Sequence, residues 1–187
     1  MKQADEKCLT PNGVKLHLGC GREYWTGYLN VDRDPATEAD IVSDFSKIDD
    51  FIDSGSVAEV CMIHSLSYLN LWQARDLFRM LHRLMVNGGR LIIESPDIVK
   101  CAKHLIKKSE CLTEYLEGVR GIYAFDFEQI SQRALYTPYA FGWTGQHLQI
   151  ELRQAGFAKI RIMPPRTHGH PWRDIRVEAV KPHADSI

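Results

Sequence analysis

Val14-Lys15-Leu16-His17-Leu18-Gly19-Cys20-Gly21 is the stretch whose reading decides the fold. Apolar and polar residues alternate as far as Leu18, and the alternation breaks at the two glycines, the pattern of a short strand ending in a tight turn. Glycine on either side of Cys20 lets backbone approach a ligand, because a side chain there would occupy ligand space. Eleven residues after Gly21, Asp32 closes a second short strand, Tyr28-Leu29-Asn30-Val31-Asp32. A carboxylate at that strand end can accept both hydroxyls of a ribose. Taken singly, the glycines also fit an ordinary turn and Asp32 a surface acid.

Working outward, Asp40-Ile41-Val42-Ser43-Asp44 reads as a third strand that also ends on an acid. Val57 to Ile63 is apolar enough for a central strand, and Gly89 to Glu94 is rich in the branched residues that buried parallel strands favour. Between these two, Leu77, Phe78, Leu81, Leu84 and Met85 recur at three- and four-residue steps while Arg75, Arg79 and Arg83 point elsewhere, which predicts an amphipathic helix. Asn70 with Gln73 can cap its start, and Asn87-Gly88 supplies a left-handed exit. Ser95-Pro96 reads as a cap and first-turn proline opening the next helix, through about Lys108. Leu148, Leu152 and Ala155 mark a later helix ending at Gly156, and Phe157–Met163 and Asp174–Val180 read as strands joined by the loop Pro164 to Trp172. Strands alternating with helices predict one α/β domain over residues 1–187: a three-layer sandwich on a mostly parallel seven-stranded sheet with a C-terminal antiparallel hairpin. Ligands of such sheets bind at the carboxyl ends of the strands, where Gly19 to Gly21, Asp32, Asp44, His64 and Glu94 are expected to converge.

Composition agrees with a single globular domain. The 187 residues are 44% hydrophobic and 25% charged, with 23 Lys and Arg against 24 Asp and Glu. This balance is not that of a dedicated nucleic-acid binder. No apolar run approaches the ~20 residues that span a bilayer, and the first seven residues do not resemble a secretory signal, so a cytoplasmic protein is expected. Five cysteines without CxxC spacing indicate reduced thiols rather than a disulfide framework or zinc site. Charge is uneven: residues 1–60 hold 6 Lys and Arg against 12 Asp and Glu, and residues 157–183 hold 6 against 2. An acidic first third suits a cationic ligand, but solvated surface charge is the plainer explanation.

The order and spacing of Leu16 to Gly21, Tyr28 to Asp32 and Leu84-Met85-Val86-Asn87-Gly88-Gly89-Arg90-Leu91-Ile92-Ile93-Glu94 resemble the class I S-adenosylmethionine-dependent methyltransferases. Within them, the likeness is to the branch of small predicted, type 11-like methyltransferases, and it covers about residues 14–181. The resemblance implies a Rossmann-like fold and S-adenosyl-L-methionine as cofactor. It implies that Gly19, Cys20 and Gly21 pack against the methionine and ribose, and that Asp32 binds the ribose hydroxyls. Asp44 would hydrogen-bond the adenine amino group, with Phe45, Ile63 and His64 lining the adenine or methionine moiety. A ligand carrying sulfonium and ammonium charges and no phosphate suits acids rather than a basic cradle.

The chain departs from the family's GxGxG loop and following helix. Arg22 follows Gly21, the next glycine is Gly27, and no full helix fits before Asp32. His64 is the candidate general base for an acceptor that must lose a proton, a cofactor-lining or packed histidine being the other reading. His168 and His170, with Arg166, Trp172 and Arg173, suggest a metal or acidic-substrate site, but two histidines are short of a ligand set; a solvated loop is the expectation, with no metal. The aromatic-rich residues 110–143 are read as a cap on the acceptor site or a satellite core. The expected activity is methyl transfer (EC 2.1.1.-) to a small-molecule or glycan-like acceptor, with a homodimer as the candidate assembly. A non-catalytic S-adenosylmethionine-binding module and an NAD-dependent oxidoreductase are the alternatives, the latter disfavoured by the absent third glycine.

Overall fold

The computed structural model describes residues 9, 10, 13–124, 137–167 and 170–183. Among these residues, eight strands form one sheet: β1 (Leu9–Thr10), β2 (Gly13–Leu18), β3 (Leu29–Asp32), β4 (Ile41–Val42), β5 (Val57–Ile63), β6 (Met85–Pro96), β7 (Ala158–Met163) and β8 (Asp174–Val180). The order β4-β3-β2-β5-β6-β8-β7 is parallel from β4 through β6, and β8 then runs antiparallel between β6 and β7. These seven strands and the closing hairpin are the predicted sheet; the two-residue β1, antiparallel to β2, is an addition. Because β8 is antiparallel, its first residue, Asp174, arrives at the edge where the parallel strands end. That reversal brings a late segment into the crevice.

Among the described residues, four helices flank the sheet: α1 (Leu71–Leu84), α2 (Ile98–Lys107), α3 (Leu112–Tyr123) and α4 (Gly145–Gln154). Helix α1 has the predicted capping box between Asn70 and Gln73 and buries Leu77, Phe78, Leu81 and Leu84. Its apolar face meets Leu16, Val60, Leu91, Trp143, Leu148 and Leu152 in one continuous core. A buried carboxylate ties α4 to α1: Glu151 accepts Nε and Nη2 of Arg75 at 2.7 and 2.8 Å. Helix α3 lies against α2 where Gly121 leaves room for the Cys101 thiol, 2.5 Å from where a Cβ would stand.

Two predicted punctuation marks move. Gly88 is left-handed (φ 81°), but α1 has already ended at Leu84, and Met85 is extended at φ −76°, ψ 148°. The Asn87-Gly88 turn instead bulges β6 between its pairings of Met85 with Val57 and Arg90 with Glu59. At the other end of β6, Ser95 and Pro96 remain in the strand opposite Ile175 and Asp174. The cap of α2 is Asp97, whose Oδ1 accepts the N–H groups of Val99 and Lys100.

The link from β2 to β3 is ten residues long, short for a parallel connection, which ordinarily takes a dozen or more and a helix. It is a loop, as predicted, and Asn30 holds it. Fully buried, Asn30 accepts the Trp25 N–H at 2.9 Å, donates to the carbonyls of Trp25 and Tyr28, and contacts His17 Nδ1 at 3.1 Å. The Trp25 ring lies on His17, centroids 4.1 Å apart and 19° from parallel, covering sheet that a helix would otherwise cover. Burial pushes the His17 pKa down, so the neutral ring suits the stack.

An Asn30→Ala substitution should cost about 2–3 kcal/mol, because several buried donors and acceptors lose their partner together. Urea denaturation measures it, and a loss within about 0.5 kcal/mol would show that the loop is held otherwise.

Candidate active site

On the left of the crevice, Gly19 and Gly21 both have positive φ, 74° and 54°, as the tight turn requires. They serve different purposes. A Cβ at Gly19 would stand 2.3 Å from Ser65 Cβ and 3.1 Å from Phe45 Cζ, so this glycine admits protein rather than ligand. At Gly21 no atom lies within 4 Å of that position, and the residue opens onto a cavity of about 320 Å³ with Cys20, Arg22, Tyr24, Thr37 and Glu38. The sequence expectation of ligand space at both glycines is therefore corrected at Gly19. Ser65 replaces it as the neighbour, its hydroxyl donating to Leu18 O at 2.7 Å.

Asp32 ends β3 beside Gly21, as expected. Its Oδ2 accepts the Gly21 N–H at 2.8 Å and its Oδ1 the Asp34 N–H at 2.9 Å, which locks the carboxylate to both loops. Each oxygen keeps a second lone pair. Burial raises the Cys20 thiol to about 11, aided by the Asp32 charge, so Cys20 is a packing group and not a nucleophile.

Asp44 stands two residues beyond β4 and caps a 3-10 turn, Phe45–Asp50. Its Oδ1 accepts the Ser46 N–H and hydroxyl at 2.9 and 2.8 Å, and the backbone bond above all holds its pKa below the usual range. Phe45 is half-buried over Gly19, and Ile63 is buried as the last residue of β5. Glu94 is not in the crevice: β6 runs two residues past it, and it is fully buried. It accepts the Arg166 and Thr167 N–H groups and Arg176 Nη1 at 2.8, 3.0 and 2.7 Å. Burial opposes its ionisation, but these bonds prevail and its pKa is lowered.

His64 follows β5 directly and has a left-handed backbone, φ 56°, with its N–H bonded to Glu94 O at 2.8 Å. It forms one wall of a second cavity, about 800 Å³, with Tyr68, His104, Arg120, Tyr139 and Trp172 among the other walls. Its Nε2 lies 3.2 Å from Oδ2 of Asp174. Asp174 is fully buried and gripped by Arg173, Nε to Oδ1 at 2.7 Å and Nη2 to Oδ2 at 2.9 Å. Burial alone would raise the Asp174 pKa; the His64 and Arg173 contacts outweigh it and hold it at about 2.

The crevice thus joins Gly21, Asp32 and the Phe45 turn on one side to His64 on the other. Sequence reading did not single out Asp174, Tyr68 or His104 as site residues, because their roles arise from pairings across the fold. Of the aromatic cap, α3 and Tyr139 wall the large cavity, while Phe141 and Trp143 belong to the main core. Phe125, Phe127 and Tyr136 lie outside the described residues, as does His168. His170 and Trp172 are cavity walls, Trp172 stacked on His104 with centroids 4.0 Å apart. Among the described residues no cluster of three or more His, Cys, Asp or Glu could hold a metal ion, and no helix is long and apolar enough to cross a membrane.

Solved structures share this architecture. A SAM-dependent methyltransferase from Archaeoglobus fulgidus superposes with a TM-score of 0.60 at 13% identity, over 93% of this chain and 88% of that one. One from Methanosarcina mazei gives 0.57 at 15% identity, over 93% and 95%. Haemonchus contortus phosphoethanolamine N-methyltransferase 2, in complex with S-adenosyl-L-methionine, gives 0.56 at 12%; the chain spans 48% of that enzyme's length. The chain therefore shares the fold of these solved methyltransferases, at identities of 12–15%. No protein-family model matches the chain, and no curated protein matches it.

Because the Asp174 pKa is lower folded than unfolded, its contribution to stability is complete above about pH 4 and is lost as pH falls towards about 2. Asp174→Asn should flatten the stability profile in that window, where the lowered carboxyl is worth on the order of 2 kcal/mol. Denaturant midpoints between pH 2 and 5 measure this, and parallel wild-type and variant profiles would contradict it.

Proposed function

We propose that this protein is an S-adenosylmethionine-dependent methyltransferase whose acceptor is a small molecule or glycan-like compound. The observation that carries the reading is the pairing, in this fold, of the Asp32 carboxylate with the open side of Gly21. Asp32 has lone pairs left for ribose hydroxyls, its plane is fixed by two N–H donors, and the cavity beside it has no cationic cradle other than Arg22. A ligand with sulfonium and ammonium charges and no phosphate fits such a surface. Asp44 and Phe45 are the groups for the adenine end, and Gly21 and Cys20, rather than Gly19, face the rest.

Bound S-adenosylmethionine would supply an electrophilic methyl group. The protein's task is then to hold an acceptor in line with it and exclude water, since orientation can supply roughly 7 to 11 kcal/mol. Tyr68, Tyr139 and Trp172 offer flat apolar faces to a ring, and Glu114, Glu117 and Arg120 offer polar groups. His64 is the candidate to take a proton from an alcohol or amine acceptor on its imidazole.

Calorimetry with S-adenosylmethionine, S-adenosylhomocysteine and NAD tests the cofactor. The two sulfur compounds should bind below millimolar concentration and NAD should not; failure of both sulfur compounds would overturn the proposal. Asp32→Ala should weaken S-adenosylmethionine by about 1–3 kcal/mol, and unchanged affinity would remove Asp32 from the site.

A further inference from the structure

Tyr139 walls the large cavity from the stretch just ahead of α4, and the backbone beside it is pinned. The N–H groups of Ala140 and Phe141 both bond to Ser67 O, at 2.8 and 3.2 Å. Ser67 belongs to the 3-10 turn Leu66–Tyr68, just past His64, and its hydroxyl lies 2.9 Å from that of Ser95 near the end of β6. On the other side of Tyr139, Thr137 Oγ1 accepts Arg33 Nη2 at 3.3 Å. The Phe141 ring stands edge-on to the buried Trp143, centroids 4.7 Å apart, and the half-buried Tyr139 ring stands edge-on to Tyr68 at 5.0 Å.

This packing accounts for the ring but not for the hydroxyl. A phenylalanine would make the same ring contacts, and a hydroxyl withdrawn from water without a partner costs free energy. Tyrosine hydroxyls in such places ordinarily find one. Among the described residues no group hydrogen-bonds to the Tyr139 hydroxyl. Arg173 and Asp174 lie close enough to act on it electrostatically, but their hydrogen bonds go to each other. Burial, and then the neighbouring Tyr68, push the phenol above its ordinary pKa, so it stays neutral, a donor and an acceptor at once.

The other walls favour a neutral ligand that brings hydrogen-bond donors. Arg173 is held by Asp174, and Arg120 is not free, so an anion would find both arginines engaged. An ammonium would meet those same arginines as like charges. Glu114 is taken up by His104, whose Nε2 lies 3.1 Å from Oε2. Glu117, one turn further along α3, has no ion-pair partner among the described residues and can only accept hydrogen bonds. Tyr68 and Trp172, the latter stacked on His104, supply flat apolar faces. A hydroxylated ring, apolar on its faces and with donors at its rim, matches this set.

We infer that Tyr139 is a specificity-determining residue of the large cavity, its hydroxyl hydrogen-bonding to a ring hydroxyl of the acceptor. That the bound ring is a methyl acceptor rests on the methyltransferase reading; the hydrogen bond does not. An aromatic alcohol and a sugar both carry this chemistry.

Tyr139→Phe deletes the oxygen alone. If the hydroxyl served the fold, its removal would lower the melting temperature; serving a ligand, it leaves that temperature unchanged or raised. The full chain labelled with 3-fluorotyrosine is titrated with catechol and with methyl α-glucopyranoside, with and without S-adenosylhomocysteine. The Tyr139 ¹⁹F signal is identified by its loss in the variant. At least one probe should shift that signal saturably, catechol marking an aromatic ring and the glucoside a sugar, and calorimetry should show the variant binding that probe about 2- to 10-fold more weakly. A Tyr139 signal unmoved by both probes, equal affinity in the variant, or a lowered melting temperature would overturn the inference. Calorimetry with S-adenosylmethionine separates the two readings. Cofactor binding without a Tyr139 response removes only the role of the hydroxyl, while a Tyr139 response without cofactor binding keeps the ring site and removes the methyltransferase.

Discussion

Ten residues must carry the chain from the end of β2 to the start of a neighbouring parallel strand, and much of the crevice follows from that constraint. A loop of this length cannot include a crossover helix. The left-handed turns at Gly19, Gly21 and Gly27 make the reversal, and the buried Asn30 amide anchors its far side to Trp25 and Tyr28. With no helix above it, the carboxyl end of β2 is bordered by side chains. Ser65 and Phe45 fill the space over Gly19, while Gly21 stays open and its N–H is turned to Asp32. One economy of chain length thus shapes both the candidate cofactor surface and the way its acid is held.

The buried charges divide in a similar way. Glu94 with Arg176 and Glu151 with Arg75 are carboxylates whose partners lie in neighbouring elements, and they join strand to strand and helix to helix. Breaking such a pair on one side leaves an uncompensated buried charge, so they tolerate little change. Asp174 differs because its fork comes from the adjacent Arg173 and its remaining contact faces a cavity wall. Around it, Arg173 and Arg176 of the closing hairpin turn inward, while Lys159, Arg161 and Arg166 are exposed.

Much of the fold was legible because its signals are local. Alternation gave β2 and β3, branched apolar runs gave β5 and the core of β6, and Asn70 with Gln73 gave the start of α1. Boundaries moved where two residues offered the same chemistry. Ser95 and Asp97 are both good caps, and strand pairing with β8 claims Ser95, leaving Asp97 for α2. Gly88 was correctly read as left-handed, yet a bulge uses that conformation as readily as a helix exit does. The placement of Asp32 beside Gly21 could be read from spacing, since each is defined by its own strand end. The setting of Gly19 could not, because its neighbour Ser65 comes from the end of another strand. The contact of His64 with Asp174 was likewise hidden, since it exists only after β8 has been inserted antiparallel between β6 and β7.

The central claim is that an adenosyl ligand lies between the Gly21–Asp32 side and His64, bridging the small cavity and the large one. Amide chemical-shift mapping of the labelled protein with S-adenosylhomocysteine tests it directly, because the Gly21 and Asp34 N–H groups are themselves bonded to the Asp32 carboxylate. The account predicts saturable shifts concentrated at Gly21, Asp32, Asp34 and His64. Shifts confined to another face of the protein, or none at millimolar ligand, would contradict it.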